Sequence, residues 1–468
     1  MSTTARGRPA PALLGAVVAA FALGLAVIVV GTVGAYDREA SGDRSATGAL
    51  SDYRDALYQP VRALAGGGNP YDYERYLATM AVDQELPPYF PINYLPFAPL
   101  SALDLPVAAG LFVVLSVVVV LATGALVAVT AGLGAGGAHR RSPMRWSWPV
   151  ALVAMGYAAV VMTSRGGFQA LQYGQSGPWV ALCLAAGVLG ARRHRPGLVA
   201  LAVAAAWAKP SVGLPVAVLL AVAGGHHRWL RPAVLWGTVA AWATWLPVGL
   251  LLLRTDGPVQ LVRIMLEDLE YSAGHPFGLL RSPSRLDATS VLAKLVGADP
   301  PPSLELLIGL VVLGVTAWAA RRCSDPAHLF AVVVLGTLVA LWRQPYDLVL
   351  ALPAVSVIVM ERWRQTGGPA GTSWRDPVVL LAAGLAAALF SWPFGHRGGE
   401  LLGLGDTGTV RLSMLTGTAA LLAWAASVAL ARRSPVAAAT AGTAATAGTA
   451  EASPERRRRA PAGGAGVS

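Results

Sequence analysis

An all-helical membrane protein that crosses the bilayer about twelve times is the fold class this sequence predicts, and three observations predict it. The chain has 468 residues, of which 55% are hydrophobic and only 13% charged, where a soluble domain carries about 25% charged residues. Its mean hydropathy is +0.55. Long apolar runs recur along almost the whole length, as spanning helices require, and the alternating ten-residue pattern of an outer-membrane barrel is absent. The formal charge of +11 does not mark a nucleic-acid binder. Its arginines sit in short patches between apolar runs and at both termini, as membrane topology requires. Cys183 and Cys323 lie in or beside expected spans, which excludes a disulfide framework or a cysteine metal site.

The spans can be taken in order. The first, roughly Pro11 to Ala35, follows Arg6 and Arg8. It exceeds the roughly 7–15 residues of a cleaved signal core and reads as an uncleaved signal-anchor. Further runs lie near 106–135, 149–163, 178–191, 232–253, 303–320, 327–341, 348–360, 377–394 and 411–431. The run 197–223 carries Trp207-Ala-Lys-Pro-Ser211 in its middle. Read as two short helices, 197–208 and 211–223, it brings the count to twelve and puts the basic loops 139–145, 191–196, 226–232, 321–326 and 361–365 on the cytoplasmic side. Read as one helix, it reverses every later loop. Residues 1–10 and the basic tail 432–468 are then cytoplasmic, with 11–431 as one membrane domain and the loops 36–105 and 254–302 facing outward. The Ala/Thr/Gly/Pro-rich tail reads as disordered, its arginines attracted to anionic lipid. The expected location is the plasma membrane, with the working face outside.

The first outward loop is dense in polar chemistry. Asp52 and Asp55 follow span one, with Tyr53, Arg54, Tyr58 and Arg62 close by, and then Gly66-Gly-Gly-Asn-Pro-Tyr-Asp72. If 51–65 is helical, the two aspartates share a face, and Asn69-Pro70 ends the helix. A carboxylate held at the membrane surface beside tyrosines and an arginine suits a general base that deprotonates a hydroxyl. The same residues would also serve a plain amphipathic helix with aromatic anchors.

Further motifs follow in order: Tyr89-Phe-Pro-Ile-Asn-Tyr94-Leu-Pro-Phe-Ala-Pro-Leu100, Tyr173-Gly-Gln175 before Ser-Gly-Pro-Trp, Ala208-Lys-Pro210, and Arg343-Gln-Pro-Tyr-Asp347. This ordered set, over roughly residues 10–430, resembles the glycosyltransferases of family 87, a C-type fold. Its members are polyprenyl-phosphate-sugar-dependent enzymes of the cell envelope, including mannosyltransferases of lipoglycan synthesis. The resemblance implies an inverting transfer with Asp52 as base and Asp55 as its rival, motif order favouring Asp52. Net inversion needs one base and no enzyme nucleophile, whereas retention would call for a second carboxylate as nucleophile. A leaving phosphate calls for outer-side positive charge, for which Lys209, Arg343, Arg165, Arg263, Arg281 and Arg285 are candidates. Lys209 stands out, because a lone lysine in an apolar stretch is costly. Tyr53, Tyr58, Asn69, Tyr71, Asp72, Tyr89, Tyr94, Gln175, Tyr346 and Asp347 are the expected substrate contacts. Relatives often carry histidine where this chain has Gln344-Pro-Tyr-Asp347, which points to a different sugar or acceptor.

The expected donor is a polyprenyl-phosphate sugar, mannose first and arabinofuranose as the alternative, and the acceptor a lipid or glycan. No cofactor is expected. Glu267-Asp-Leu-Glu270 could hold a divalent cation or form a solvated helix face, and the resemblance implies a metal-independent enzyme. A soluble nucleotide sugar would lie on the wrong side, and no phosphate-loop or dinucleotide fingerprint is present. The rivals are a flippase for a lipid-linked glycan, which would need midplane charges and related halves, and a non-catalytic envelope scaffold.

Overall fold

The computed structural model describes residues 11–40, 50–80, 90–133, 148–223, 227–255, 285–341, 344–366, 376–394 and 396–432, and the account below concerns these. No strand occurs among them. The chain opens with α1 (Pro11–Ala40), whose apolar side chains point outward, Leu23 being 61% and Val30 70% exposed. That is the pattern of a helix facing lipid rather than water. After it come α2 (Ser51–Tyr53), a single π turn (Arg54–Tyr58), α3 (Gln59–Ala65) and α4 (Tyr73–Thr79). The helix of residues 51–65 stops before Asn69-Pro70. Gly66 and Gly68 donate back to the carbonyls of Arg62 and Ala63, and Gly67 takes φ +78°, a left-handed position that glycine occupies without strain.

The bundle proper comprises α5 (Leu105–Thr130), α6 (Trp148–Thr163), α7 (Arg165–Gln172), α8 (Gly177–Arg192), α9 (Pro196–Ala206), α10 (Pro210–Val222), α11 (Leu230–Ala243) and α12 (Trp245–Thr255). It continues with α13 (Ala288–Val296), α14 (Pro302–Ala320), α15 (Pro326–Ala340), α16 (Leu352–Thr366), α17 (Pro377–Leu389), α18 (His396–Leu401) and α19 (Asp406–Arg432). Helix α15 is apolar all round, and its residues from Leu329 to Ala340 are all buried, so it forms the centre of the core.

Five stretches are long and apolar enough to cross a membrane alone: Pro11–Thr32, Leu105–Thr130, Leu230–Leu250, Pro302–Ala320 and Asp406–Ala431. A sixth exists if α6 and α7, bent by 81° at Ser164, count as one broken span. Helices α8, α9, α10, α15 and α17 have 11–16 residues, which is about 17–24 Å against about 30 Å of hydrocarbon. Helix length therefore establishes a multi-pass membrane protein but not the expected twelve crossings. The break in the run 197–223 is present where the sequence places it. Helix α9 ends at Ala206 and α10 starts at Pro210, with Lys209 extended between them at φ −120° and ψ 102°. Proline has no amide hydrogen to continue a helix, and it favours the first helical position.

Helix α8 links two polar centres. Its C-terminal Arg192 reaches Asp325 at 2.8 Å, Glu361 and the carbonyl of Thr130, tying α5, α8, α15 and α16 together. Both carboxylates are about a third exposed, 34% and 33%, so solvent screening reduces the value of each charged contact. The other end of α8 begins two residues after Gln175, about 24 Å away along its 16 residues.

Candidate active site

The polar cluster at that second end is built first from backbone. The amides of Asp52 and Tyr53 donate to the carbonyl of Tyr173 at 2.9 and 3.2 Å, and Leu50 donates to that of Gln172 at 2.6 Å. These bonds seat the start of α2 on the turn between α7 and α8. Two left-handed residues make the seat. Leu50 has φ 61°, an uncommon conformation for a side chain that branches. Gly174 has φ 73°, and a Cβ there would stand 2.4 Å from Tyr53 Cβ. At the other end of α7, a Cβ on Gly166 would meet the Pro345 carbonyl oxygen at 2.4 Å. Helix α7 thus lies directly on the 3-10 turn Pro345–Leu350.

Gly174→Ala is accordingly expected to dislodge α2. The left-handed backbone alone costs about 1–2 kcal/mol for a residue with a Cβ, and the contact with Tyr53 cannot relax without moving α2. Catalytic activity measured at equal protein level should fall by roughly ten-fold or more, since a misplaced site loses rate steeply; activity equal to wild type would show that this seat is unnecessary.

Lys209 and the Pro345–Leu350 turn complete the cluster. Lys209 Nζ donates to Asp347 Oδ1 at 2.7 Å across 138 residues of sequence and lies 4.9 Å from the centre of the Tyr346 ring. Asp347 also accepts from the Gln344 amide at 3.4 Å, so one carboxylate caps its own turn and neutralises the lysine. The Tyr346 hydroxyl shares a hydrogen bond with Gln175. Asp52 lies within this charge field. Its carboxyl is 8% exposed and accepts from Ser51 Oγ at 3.3 Å. Burial pushes it up to about 7, against the opposing pull of Lys209 and the Ser51 bond, with Asp55 and Asp347 adding to the rise. A carboxyl poised near neutrality is suited to accepting a proton in one step and releasing it in the next.

The two aspartates of the first loop are in different situations. Asp55 sits in the π turn, its oxygens taken by Arg54 Nε at 2.7 Å and Nη2 at 3.0 Å, while its carbonyl accepts from Tyr76 at 3.1 Å. The π turn adds a residue to the helical register, and such turns recur at functional sites.

Other expected residues have structural employment. Tyr53 is 0% exposed and stacks 4.3 Å from Phe112. Tyr58 donates to the Leu103 carbonyl at 2.7 Å, and Tyr58, Tyr71 and Tyr94 are buried in the same aromatic cluster over α5. These rings hold the loop to the bundle. Asn69 accepts from the Tyr71 amide at 2.9 Å, closing its turn, and Asp72 caps α4. Arg285 is held by Asp287 at 2.9 Å and Glu305 at 2.8 Å. Arg165 is buried, with Nη1 on the Ser391 carbonyl at 3.3 Å. Tyr89, Arg263, Arg281, Arg343 and Glu267–Glu270 lie outside the described residues. Among the described residues no group of three metal-ligating side chains occurs. Ser51, whose hydroxyl bonds Asp52, escapes a sequence reading, whereas Tyr173 stands in a motif the sequence shows but acts through its backbone carbonyl.

Two cavities lie apart from this cluster. One, of about 180 Å³, is lined by Arg62, Asn69, Arg75 and Tyr76; the other, of about 340 Å³, lies at the Arg192 end of α8 beside His194 and Trp229. The first adjoins the loop that carries Asp55 and Asp72.

Residues 88–353 match the model of glycosyltransferase family 87. No curated protein and no solved structure matches the chain. The matched segment includes Gln175, Lys209, Tyr346 and Asp347, while Asp52 precedes it. With more than half of its length matched and several apolar helices of spanning length, the chain belongs to glycosyltransferase family 87 and is a membrane glycosyltransferase.

Proposed function

We propose that this enzyme is an inverting C-type glycosyltransferase that moves one sugar, mannose, from a polyprenyl phosphate to a lipid or glycan hydroxyl on the outer face of the plasma membrane. The observation that carries the reading is the convergence of Asp52, Gln175, Lys209, Tyr346 and Asp347 at one end of α8. Four separate chain segments contribute to it.

In this reading Asp52 takes the proton of the acceptor hydroxyl as its oxygen attacks the sugar C1. The bond from C1 to the phosphate oxygen breaks, and its electron pair leaves with the polyprenyl phosphate. One displacement inverts C1, with no covalent intermediate. Gln175 and Tyr346 offer hydrogen bonds to sugar hydroxyls beside the base, and the Lys209–Asp347 pair keeps the base at a usable proton affinity. A lipid-linked donor supports the outward orientation, since its sugar can be presented outside while its chain stays in the bilayer. The break at Lys209-Pro210 fits a groove at membrane depth, because irregular backbone there must face protein or water.

Membranes containing the enzyme, supplied with radiolabelled polyprenyl-phosphate mannose and total lipids, should yield a labelled product. Labelling from polyprenyl-phosphate arabinose and not from the mannose donor would replace the sugar while keeping the mechanism. Labelling from neither would overturn the polyprenyl donor.

A further inference from the structure

Three basic turns meet at the end of α8 away from the Asp52 cluster, about 24 Å from it along the helix. They are residues 192–196, 227–232 and 321–326, parts of the basic loops expected on one side of the membrane. Measured contacts close them into a ring. Arg192 Nη2 donates to both Asp325 oxygens, at 3.1 and 2.8 Å, joining the first turn to the third. The His194 ring lies 4.9 Å from that of Trp229, joining the first to the second. Arg231 and Arg321 donate to successive carbonyls in the last turn of α10, Ala221 at 3.0 Å and Val222 at 3.3 Å, joining the second to the third. All three turns line the cavity of about 340 Å³, through Arg192, His194, His227, Trp229, Ser324 and Pro326.

The charge around this cavity is unbalanced. Asp325 is the one carboxylate in the three turns, and Arg192 takes both its oxygens. Arg193, Arg195, Arg228, Arg231, Arg321 and Arg322 are exposed, and none has a carboxylate partner among the described residues. Like charges crowded on one rim repel, and an anion among them offsets that repulsion. His194 adds a backbone signal. It holds the left-handed position after α8 at φ 52°, where the Arg195 amide donates to the Gly190 carbonyl at 2.7 Å. Glycine is the usual residue at such a cap, so histidine keeps its ring on the cavity wall against a backbone cost.

The rim lies at the level of lipid headgroups. Of the stretches able to span alone, Leu230–Leu250 begins and Pro302–Ala320 ends beside its arginines. On α11 the exposed residues Leu235, Val239 and Trp242 follow Arg231 at helical spacing. One stripe therefore runs from the cationic rim along an apolar, lipid-facing surface. Trp229 stands at the boundary between the two, where an amphipathic ring is favoured.

We propose that this cavity binds the headgroup phosphate of an anionic phospholipid whose acyl chains lie along the exposed face of α11. The lipid is not a substrate; it bridges three turns at the end of the bundle away from the Asp52 cluster. Guanidinium groups suit a phosphodiester through charge-assisted bonds, and basic pockets between membrane helices suit such headgroups. A soluble phosphate would meet the same cations but gain nothing from the apolar stripe. The site requires only that the chain is a membrane protein and is independent of the sugar donor.

Full-length enzyme purified in neutral detergent would be titrated with dioleoyl phosphatidylglycerol, with phosphatidylcholine of the same chains, and with glycerol 1-phosphate. Phosphatidylglycerol should bind much more tightly than either of the others. Arg231→Gln combined with Arg321→Gln should weaken it by about ten- to thirty-fold, the factor that two arginines at a membrane surface supply, and leave phosphatidylcholine unchanged. Arg411→Gln, at an exposed arginine outside the three turns, should change neither. Equal affinity for the two lipids, or a preference for phosphatidylglycerol that survives the double variant, would overturn the site. Glycerol 1-phosphate binding as tightly as the lipid would overturn the phospholipid in favour of a soluble anion. Should the double variant fail to fold, because both arginines also bond the end of α10, Arg228→Gln carries the same test with a smaller expected loss. None of these measurements involves sugar transfer, so a failed mannose assay and a failed lipid titration are distinguishable.

Discussion

Asp52→Asn is expected to reduce sugar transfer by roughly 10²–10⁴-fold, the usual contribution of a positioned base, with protein level in the membrane unchanged. The amide keeps the shape, the seat on Tyr173 and a partner for Ser51, and removes only the ability to take a proton. The pH dependence gives a second signature. Burial raises the Asp52 carboxyl to about 7, and a base works only when ionised. The wild-type rate should therefore climb as pH rises through about 7, and the residual rate of the variant should not. Stability runs the opposite way. A carboxyl raised from 3.8 to about 7 on folding favours the folded state at low pH, and that contribution is lost as pH rises toward 7. Above that pH, Asp52→Asn should be the more stable protein by roughly 2–4 kcal/mol, so its inactivity cannot be ascribed to unfolding. Transfer surviving in the variant with its pH dependence intact would remove Asp52 as base and shift the role to Asp55.

Lys209→Met carries the second large effect, and here stability and activity fall together. The Asp347 side chain is 6% exposed and its Oδ1 depends on Lys209 at 2.7 Å. Removing one partner of a buried pair leaves an uncompensated charge, at a cost of about 3–5 kcal/mol. Lys209 also opposes the rise of the Asp52 carboxyl, so any remaining activity should have its rising limb at higher pH. Lys209→Arg keeps the charge and should retain the limb, with a partial loss because the planar guanidinium does not replace a point charge. The double variant Lys209→Met with Asp347→Leu should recover much of the thermal stability, measured by the melting temperature in detergent, and none of the activity. Recovery of activity in the double variant would reduce the pair to a structural bolt.

How much of this was legible beforehand differs from residue to residue. The helix break at Lys209-Pro210 was readable because proline removes an amide hydrogen whatever surrounds it, and a lysine amid alanine and valine is costly inside a membrane. Asp52 was readable as a charged residue just beyond an apolar run. The partner of Lys209 was not, since 138 residues separate it from Asp347 and no periodicity links them. Lys294 is one of two lysines in the chain, and its burial beside the Arg285 carbonyl depends on how α13 packs. The tyrosines of the first loop illustrate the converse. Their types fit a sugar site, yet Tyr53 and Tyr58 were taken up by packing on Phe112 and Leu103.

Composition and hydropathy by themselves determined that this chain is a helical multi-pass membrane protein, because apolar surface in such excess has no stable place in water. The order of its motifs determined the family. Only the tertiary structure decided which of Asp52 and Asp55 has no ion-paired partner among the described residues: Arg54 holds Asp55, while the Tyr173 seat buries Asp52 beside the field of Lys209. The physical reason is that the proton affinity of a carboxyl is set by desolvation and nearby charge, and both depend on segments far apart in sequence that meet only when the helices pack.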